Sequence, residues 1–476
     1  MVIGMPDTFF FYDLETTGFS SSYDRIMQFA GIRTNMQLEP IGEPVNLLIK
    51  LSDDVLPSPG AILTTHITPQ STQMDGITEA EFCDYFLKEV MCYGTTILGY
   101  NSIHFDDEFI RHTLWRSFRD PYEWSYTQHC SRWDLLNVVR MVRALRPEGI
   151  VWPTKEVDGE IKPTVNLVDM AKSNGFENKQ AHDALADVKA LINLAKLIKA
   201  KQPKLWDYLY LHRNKASLSS VVKMGAPCVL TSGRLPADTQ CTTVALPLGN
   251  GKYSGSYICW DLRHDPSSYF RYNDDDIATS IVGEQAELDK RGLVRLPLLT
   301  IKTNACPAVA PFGVLDEASE VRVKLTKQQA QENAKKLLEH KEFIEALLRL
   351  SLKAGAMPPA TDIDGTMYES FIPDGDKVHC RIVAHMDENA LADCHPPFHD
   401  PRLPALLLRY KARNYPRSLS ESEQLSWEKY RAAKLKRELP GYLKALSEAQ
   451  VAGADEFILQ ELQLWAESIM PFDMEE

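Results

Sequence analysis

No apolar run in this chain approaches the roughly 20 residues that a helix needs to cross a bilayer, so no membrane-spanning segment is expected. The N-terminus, MVIGMPDTFF, lacks a basic stretch ahead of an apolar core and a small-residue cleavage site, so no secretory leader and a cytoplasmic location are expected. Cysteine is sparse: nine are scattered through 476 residues, none in a Cys-x-x-Cys pair. That argues against a disulfide framework and against structural zinc. The groupings of Cys380 with His385, and of Cys394 with His395 and His399, do not change this, because Pro396-Pro397 prevents a regular helix from aligning the last two histidines. Positive charge is also short, with 52 Lys and Arg against 65 Asp and Glu and a formal net charge of −13. This excludes a protein that coats nucleic acid over its whole surface, but not one with a local basic groove. The deficit is uneven: residues 401–446 hold 11 Lys and Arg against 4 Asp and Glu.

What the chain does have is length and apolar content. At 476 residues and 44% hydrophobic it is globular and too long for one core, so two to four domains are expected. Its most informative stretch is Phe9-Phe10-Phe11-Tyr12-Asp13-Leu14-Glu15-Thr16-Thr17-Gly18. Four aromatic residues read as a strand buried on both faces, and two acids follow one residue apart before Gly18 breaks the run. Alternation along a strand points Asp13 and Glu15 to the same side. Two carboxylates that close repel unless a cation lies between them, and oxygen ligands favour Mg²⁺ or Mn²⁺. Asp-x-Glu alone is common on solvated strands, so a metal site needs further acids in suitable settings.

Along the chain, Arg25–Ile32 and Val45–Ile49 read as second and third strands, and Pro57–Thr68 as a loop leading into a helix that contains Glu79–Val90. Thr96–Asn101 reads as a short apolar strand, after which Phe105-Asp106-Asp107-Glu108-Phe109 opens a helix. Taken locally, Asp106 reads first as a plain helix N-cap, since Asp satisfies free backbone N–H groups there. A helix from about Asp183 to Lys201 carries Leu185, Val188, Leu191, Ile192, Ala195 and Ile198 at helical spacing, with His182 and Asp187 at its start. On its own, His182 reads as an ordinary surface histidine. Beyond Lys201, short apolar runs such as Pro227–Leu230, Thr243–Leu246 and Ser256–Trp260, broken by Gly, Pro and Asn, predict a small β unit. Helices are expected at Thr326–Ala354, Glu421–Leu446 and Ala454–Met470, with a linker at Pro358-Pro359.

Taken together, Asp13-x-Glu15, Asp106 after an apolar strand with Asn101 and Phe105, and His182 five residues before Asp187 resemble the DEDDh 3′→5′ exonucleases of the ribonuclease H-like class. The resemblance extends to the bacterial exodeoxyribonuclease I family through Ser131–Leu136, Ala144–Ile150, Tyr208-Leu209 with His212–Lys215, and Tyr410–Pro416. It implies an α/β ribonuclease H-like exonuclease domain with a mixed sheet (1–201), a small β-barrel-like domain with a helical end (202–355) and a C-terminal all-α domain (356–476), C-shaped overall. It implies a Mg²⁺-dependent enzyme that degrades single-stranded DNA from the 3′ end to 5′-mononucleotides by two-metal-ion hydrolysis, in repair or recombination. Asp13, Glu15, Asp106 and Asp187 would hold two Mg²⁺ ions, with Mn²⁺ as a substitute, and His182 would be the general base.

Single-stranded DNA would be gripped by Thr16, Arg146, Tyr208, Arg213 and Lys215, with Arg409, Lys411 and Arg413 as a second group whose plain alternative is a solvated helix face. The implied partner is the acidic C-terminal tail of single-strand DNA-binding protein, and a monomer is expected. The alternatives are an exonuclease acting on RNA or short oligonucleotides, and an inactive nucleic-acid-binding scaffold. One departure bears on loop shape: where relatives often have Gly before Ile-Thr-Pro-Gln, this chain has His66, which tolerates a positive φ less well.

Overall fold

The aromatic run forms the central strand of a mixed sheet in a computed structural model that describes residues 7–176, 184–353 and 358–471. The strands are β1 (Thr8–Thr16), β2 (Ile26–Thr34), β3 (Val45–Leu48), β4 (Thr95–Gly99) and β5 (Ser131–Asp134), in the order β3-β2-β1-β4-β5. β1 runs antiparallel to β2 and parallel to β4. It continues through both acids to Thr16, as the alternation of Asp13 and Glu15 along a strand requires. Asp13 pairs with Ala30 and Glu15 with Gln28, and the register shifts only between Glu15 and Thr16. Backbone pairing to β2 thus extends the strand past the point where its apolar pattern stops.

The chain divides into two compact units, Met1–Ser131 with Asn178–Leu191 and Pro359–Glu476, and Arg132–Glu177 with Ile192–Pro358. In the first, one core cluster gathers Phe10, Tyr12, Leu14, Phe29, Phe82, Phe86, Phe109 and Ile110 under the sheet. The C-terminal helices belong to this same unit. Tyr442, Ile458 and Leu462 pack with Met27 and Ile62, while Leu435, Trp465 and Ile469 pack with Leu51 and Val55. A third cluster joins Trp115 and Phe118 to Val383, Leu403, Leu406 and Tyr410.

Two local expectations change. The segment read as a Pro57–Thr68 loop contains a helix at Pro59–Thr65, followed by another at Pro69–Asp75. Each starts on a proline, whose fixed φ and missing N–H suit a first helical turn. His66 closes the first of these helices at φ 57°, so its position does require the left-handed conformation, and its N–H donates to Ile62 O at 2.8 Å.

The second unit carries an antiparallel sheet whose strands run in the order Leu298–Lys302, Ser256–Asp261, Thr242–Asn250, Cys228–Thr231, Ala308–Pro311. Among the described residues its two edge strands do not pair, so the small β-barrel-like unit is a five-stranded sheet without full closure. The helical region expected from about Thr326 to Ala354 holds two helices, Lys327–Glu339 and Lys341–Lys353, separated at His340. Among the described residues no helix is long and apolar enough to cross a membrane.

Candidate active site

Parallel neighbours end at the same edge of a sheet, and a chain leaving one such end can meet residues at the other. β1 and β4 are such a pair, with Phe11 opposite Leu98. β1 carries Asp13 and Glu15 at its C-terminal end. β4 ends at Gly99, the chain turns through Asn101 at φ 67° and a short 3₁₀ turn at Ser102–His104, and the Asp106–Arg116 helix begins. Asp106 is the first residue of that helix; the cap position is Phe105, so the plain N-cap reading does not hold. Asp187 lies in the first turn of the Ala184–Lys201 helix. His182 falls outside the described residues.

These acids crowd one another. Asp13 and Glu15 are half-buried between buried Tyr12, Leu14 and Thr16, as alternation requires. Burial pushes the Asp13 carboxyl well above the usual carboxylate range, and Asp106, Glu15 and Asp187 push it further, in that order. Four carboxylates therefore gather around the end of β1. Among the described residues no group of three or more His, Cys, Asp or Glu side chains is disposed to hold a metal ion, so what points to a cation is this crowding of hard oxygen donors.

The turn after Glu15 is tightly made. Thr17 Oγ1 donates to Asp24 Oδ1 at 2.9 Å, and Ser20 N donates to Asp24 Oδ2 at 2.8 Å. A Cβ on Gly18 would stand 2.6 Å from the Asp24 carboxylate, so glycine alone lets that carboxylate close the loop. Thr16 is buried and its hydroxyl donates to Gly18 O at 2.8 Å, which gives the predicted substrate contact a part in the turn. Next to the turn stands Phe19, 92% exposed, its ring 6.4 Å from that of Phe105. Sequence reasoning missed it. The available signal was a lone aromatic between Gly18 and the three serines that follow.

The basic group at the C-terminal end does not face solvent. Arg413, 3% exposed, bonds Asp54 at 2.7 Å and Asp364 at 2.8 Å. Lys411 is fully buried and bonds Glu423 at 2.7 Å. Arg409 pairs with Asp362 and, at 3.1 Å, with Asp364, and stacks on Tyr430. The expectation that these three grip phosphate is corrected: each is spent inside the fold on a carboxylate. Arg402, Arg431 and Lys434 are likewise paired with Asp400, Asp53 and Asp54. The local excess of positive charge is therefore largely consumed internally.

The remaining candidates lie in the second unit. Arg146 donates to the carbonyls of Leu145 at 2.6 Å and Val314 at 3.0 Å and pairs with Asp316 at 3.1 Å. The Tyr208 ring lies tilted against His212 with ring centroids 4.5 Å apart, and burial pushes its phenol up to about 12. The Arg213 guanidinium lies 3.8 Å over the Tyr210 ring, and exposed Lys215 bonds Ser254 at 3.0 Å.

Comparison with known proteins accounts for the whole length. Residues 10–195 match the family described as Exonuclease, 213–350 the Exonuclease I SH3-like domain and 361–469 the Exonuclease I C-terminal domain. Over 471 residues the chain is 36% identical to exodeoxyribonuclease I of Escherichia coli (strain K12), covering 97% of this chain and 98% of that one. The crystal structure of E. coli Exonuclease I in complex with a dA16 oligonucleotide matches with a TM-score of 0.92 at 36% identity, covering 98% of this chain and 100% of the other. The zinc ion bound form of the E. coli Exonuclease I complex with single-stranded DNA gives 0.91 at 35%, with 98% and 100% covered. With all three segments matched in order and both lengths almost fully covered, this chain belongs to the exodeoxyribonuclease I family, the 3′→5′ exonucleases of single-stranded DNA.

Proposed function

We propose that the carboxylate cluster at the end of β1 holds two Mg²⁺ ions, with Mn²⁺ as a substitute, and that hydrolysis there releases 5′-mononucleotides one at a time. The observation that carries this reading is the crowding of Asp106, Glu15 and Asp187 upon Asp13. Asp13 would serve both ions, Glu15 and Asp187 would complete the side where water attacks, and Asp106 would hold the second ion, partly through water. Bound divalent ions supply positive charge at the attacking and leaving oxygens of the phosphodiester.

The chain's own residues do the rest. His182 takes the proton from the attacking water, for which an imidazole that is largely neutral near pH 7 is suited. Phe19 offers a ring face on which a terminal base stacks, a contact that every base can make. Arg146, Arg213 and Lys215 meet phosphates, and Tyr208 meets a base. The acidic tail of single-strand DNA-binding protein is the protein partner, and a monomer acting in cytoplasmic repair or recombination is the setting. Both rest on the family resemblance.

The test is a time course on 5′-labelled and 3′-labelled single-stranded DNA, with Mg²⁺ or EDTA, using the intact protein and Asp13→Ala. Immediate release of the 3′ label as mononucleotide, dependent on metal and on Asp13, is the expected result. Equal rates for the intact protein and Asp13→Ala would remove the carboxylate cluster from the chemistry. Equal digestion of an RNA of the same sequence would move the substrate class to RNA. DNA binding without release of either label would make the chain a scaffold.

A further inference from the structure

Two consecutive acids open the Asp106–Arg116 helix, and either could in principle serve the cluster at Asp13. They are not equivalent in their surroundings. Tyr12 and Asp13 are successive residues of β1 and so point to opposite faces of the sheet. Tyr12 is buried in the aromatic core with Phe29, 1% exposed, while Asp13 lies on the other face. The Tyr12 hydroxyl donates to Asp107 Oδ1 at 2.5 Å, between two side chains each 1% exposed. Successive helix residues are about 100° apart, so with Asp107 bound to Tyr12, Asp106 leaves the same turn in a different direction.

The turn that delivers the helix is built around this pair. A Cβ on Gly99 would stand 2.4 Å from Ser102 Cβ and 3.2 Å from the Tyr12 ring, so glycine there lets the 3₁₀ turn fold down onto Tyr12. The hydrogen bond thus joins the residue before Asp13 to the residue after Asp106, across 95 positions of the chain.

We infer that Tyr12 and Asp107 are positioning residues for the catalytic cluster: their hydrogen bond fixes the first turn of the Asp106–Arg116 helix so that Asp106, and not Asp107, meets the cation held with Asp13. The inference rests on the metal reading proposed above. It assigns Asp107 the task of accepting a hydrogen bond, with no metal contact of its own. Partners that orient metal ligands typically cost roughly 10- to 100-fold in metal affinity or activity when removed.

The experiment compares wild type, Tyr12→Phe, Asp107→Asn and the double variant. Each is measured by calorimetric Mn²⁺ titration of the DNA-free protein, by melting temperature, and by kcat and KM for release of a 3′ label from single-stranded DNA. In Tyr12→Phe, Mn²⁺ binding should weaken and kcat fall by about 10-fold or more, with KM for DNA within about two-fold of wild type. Asp107→Asn keeps an acceptor oxygen for the tyrosine and should stay within about three-fold of wild type in Mn²⁺ affinity.

A Tyr12→Phe protein that melts lower but binds Mn²⁺ as wild type does would overturn the inference, leaving the pair a stability contact only. Loss of Mn²⁺ binding in a folded Asp107→Asn would overturn it differently, by making Asp107 a ligand. Wild-type protein that binds no Mn²⁺ would instead overturn the metal reading beneath it.

Discussion

Replacing Arg413 by Met separates two roles that the sequence could not distinguish. Arg413 is 3% exposed and spans Asp54 and Asp364, themselves 0% and 3% exposed, at 2.7 and 2.8 Å. Methionine keeps an apolar stem of similar length and removes the charge. Burial alone would raise both acids, yet Asp54 is held well below the usual carboxylate range by Arg413, Lys434 and Arg25, and Asp364 by Arg413, Arg25 and Arg409. Breaking a buried pair on one side costs about 3–5 kcal/mol, because the partner charge stays behind. Here the lower end applies. Asp54 keeps Lys434 at 3.1 Å, and Asp364 keeps Arg25 at 2.9 Å and Arg409 at 3.1 Å. At about 2 °C per kcal/mol for a large domain, the expected fall in melting temperature is about 6 °C. The assay is thermal unfolding by circular dichroism, paired with the salt dependence of single-stranded DNA binding. One lost phosphate contact would reduce the log–log salt slope by about 0.7 on a single strand. The structure requires the slope to stay unchanged. A melting temperature within about 1 °C of wild type together with a slope reduced by about 0.7 would refute the buried-strut argument and return Arg413 to the DNA groove.

Two further outcomes follow from the same unit. Asp54 and Asp364 have folded-state pKa values below their unfolded ones, so the stability they contribute is fully present above about pH 4 and is lost as pH falls below it. Melting temperature measured from pH 7 to pH 3 should drop in the acid limb, less steeply in Arg413→Met, and a flat profile in wild type would contradict the assignment. Phe19→Ala should raise KM for single-stranded DNA by about 5- to 100-fold, matching roughly 1–3 kcal/mol per stacked base, while leaving the melting temperature unchanged because the ring is 92% exposed. An unaltered KM would remove Phe19 from the substrate path.

What the sequence disclosed and what it hid divide along physical lines. The strand bearing Asp13 and Glu15, the strand-to-helix junction at Asp106 and the helix bearing Asp187 were legible because each is specified locally, by an aromatic run, an apolar run or a 3.6-residue period. The short helix at Pro59–Thr65 was hidden because its seven residues carry too little periodicity, and only the proline at its start marks it. The family resemblance supplied the order of the acids, and the common edge of β1 and β4 supplies the reason they meet.

Charge sign was legible too, but a partner is not a local property. Arg413 finds Asp54 across 359 positions and Arg25 finds Asp364 across 339. A cluster of cations in the sequence therefore read as a candidate groove when it is a set of internal struts. Exposure fails in the opposite direction: an aromatic residue reads as core by default, and Phe19 contradicts that because Gly18 and the Asp24 carboxylate turn the chain away from the sheet before the ring can be covered. A folded chain of this length contains many carboxylates and many cations. The proposed site takes carboxylates that the topology brings together, and the sheet edge beside Asp13 is where burial and three neighbouring carboxylates all act on one acid in the same direction.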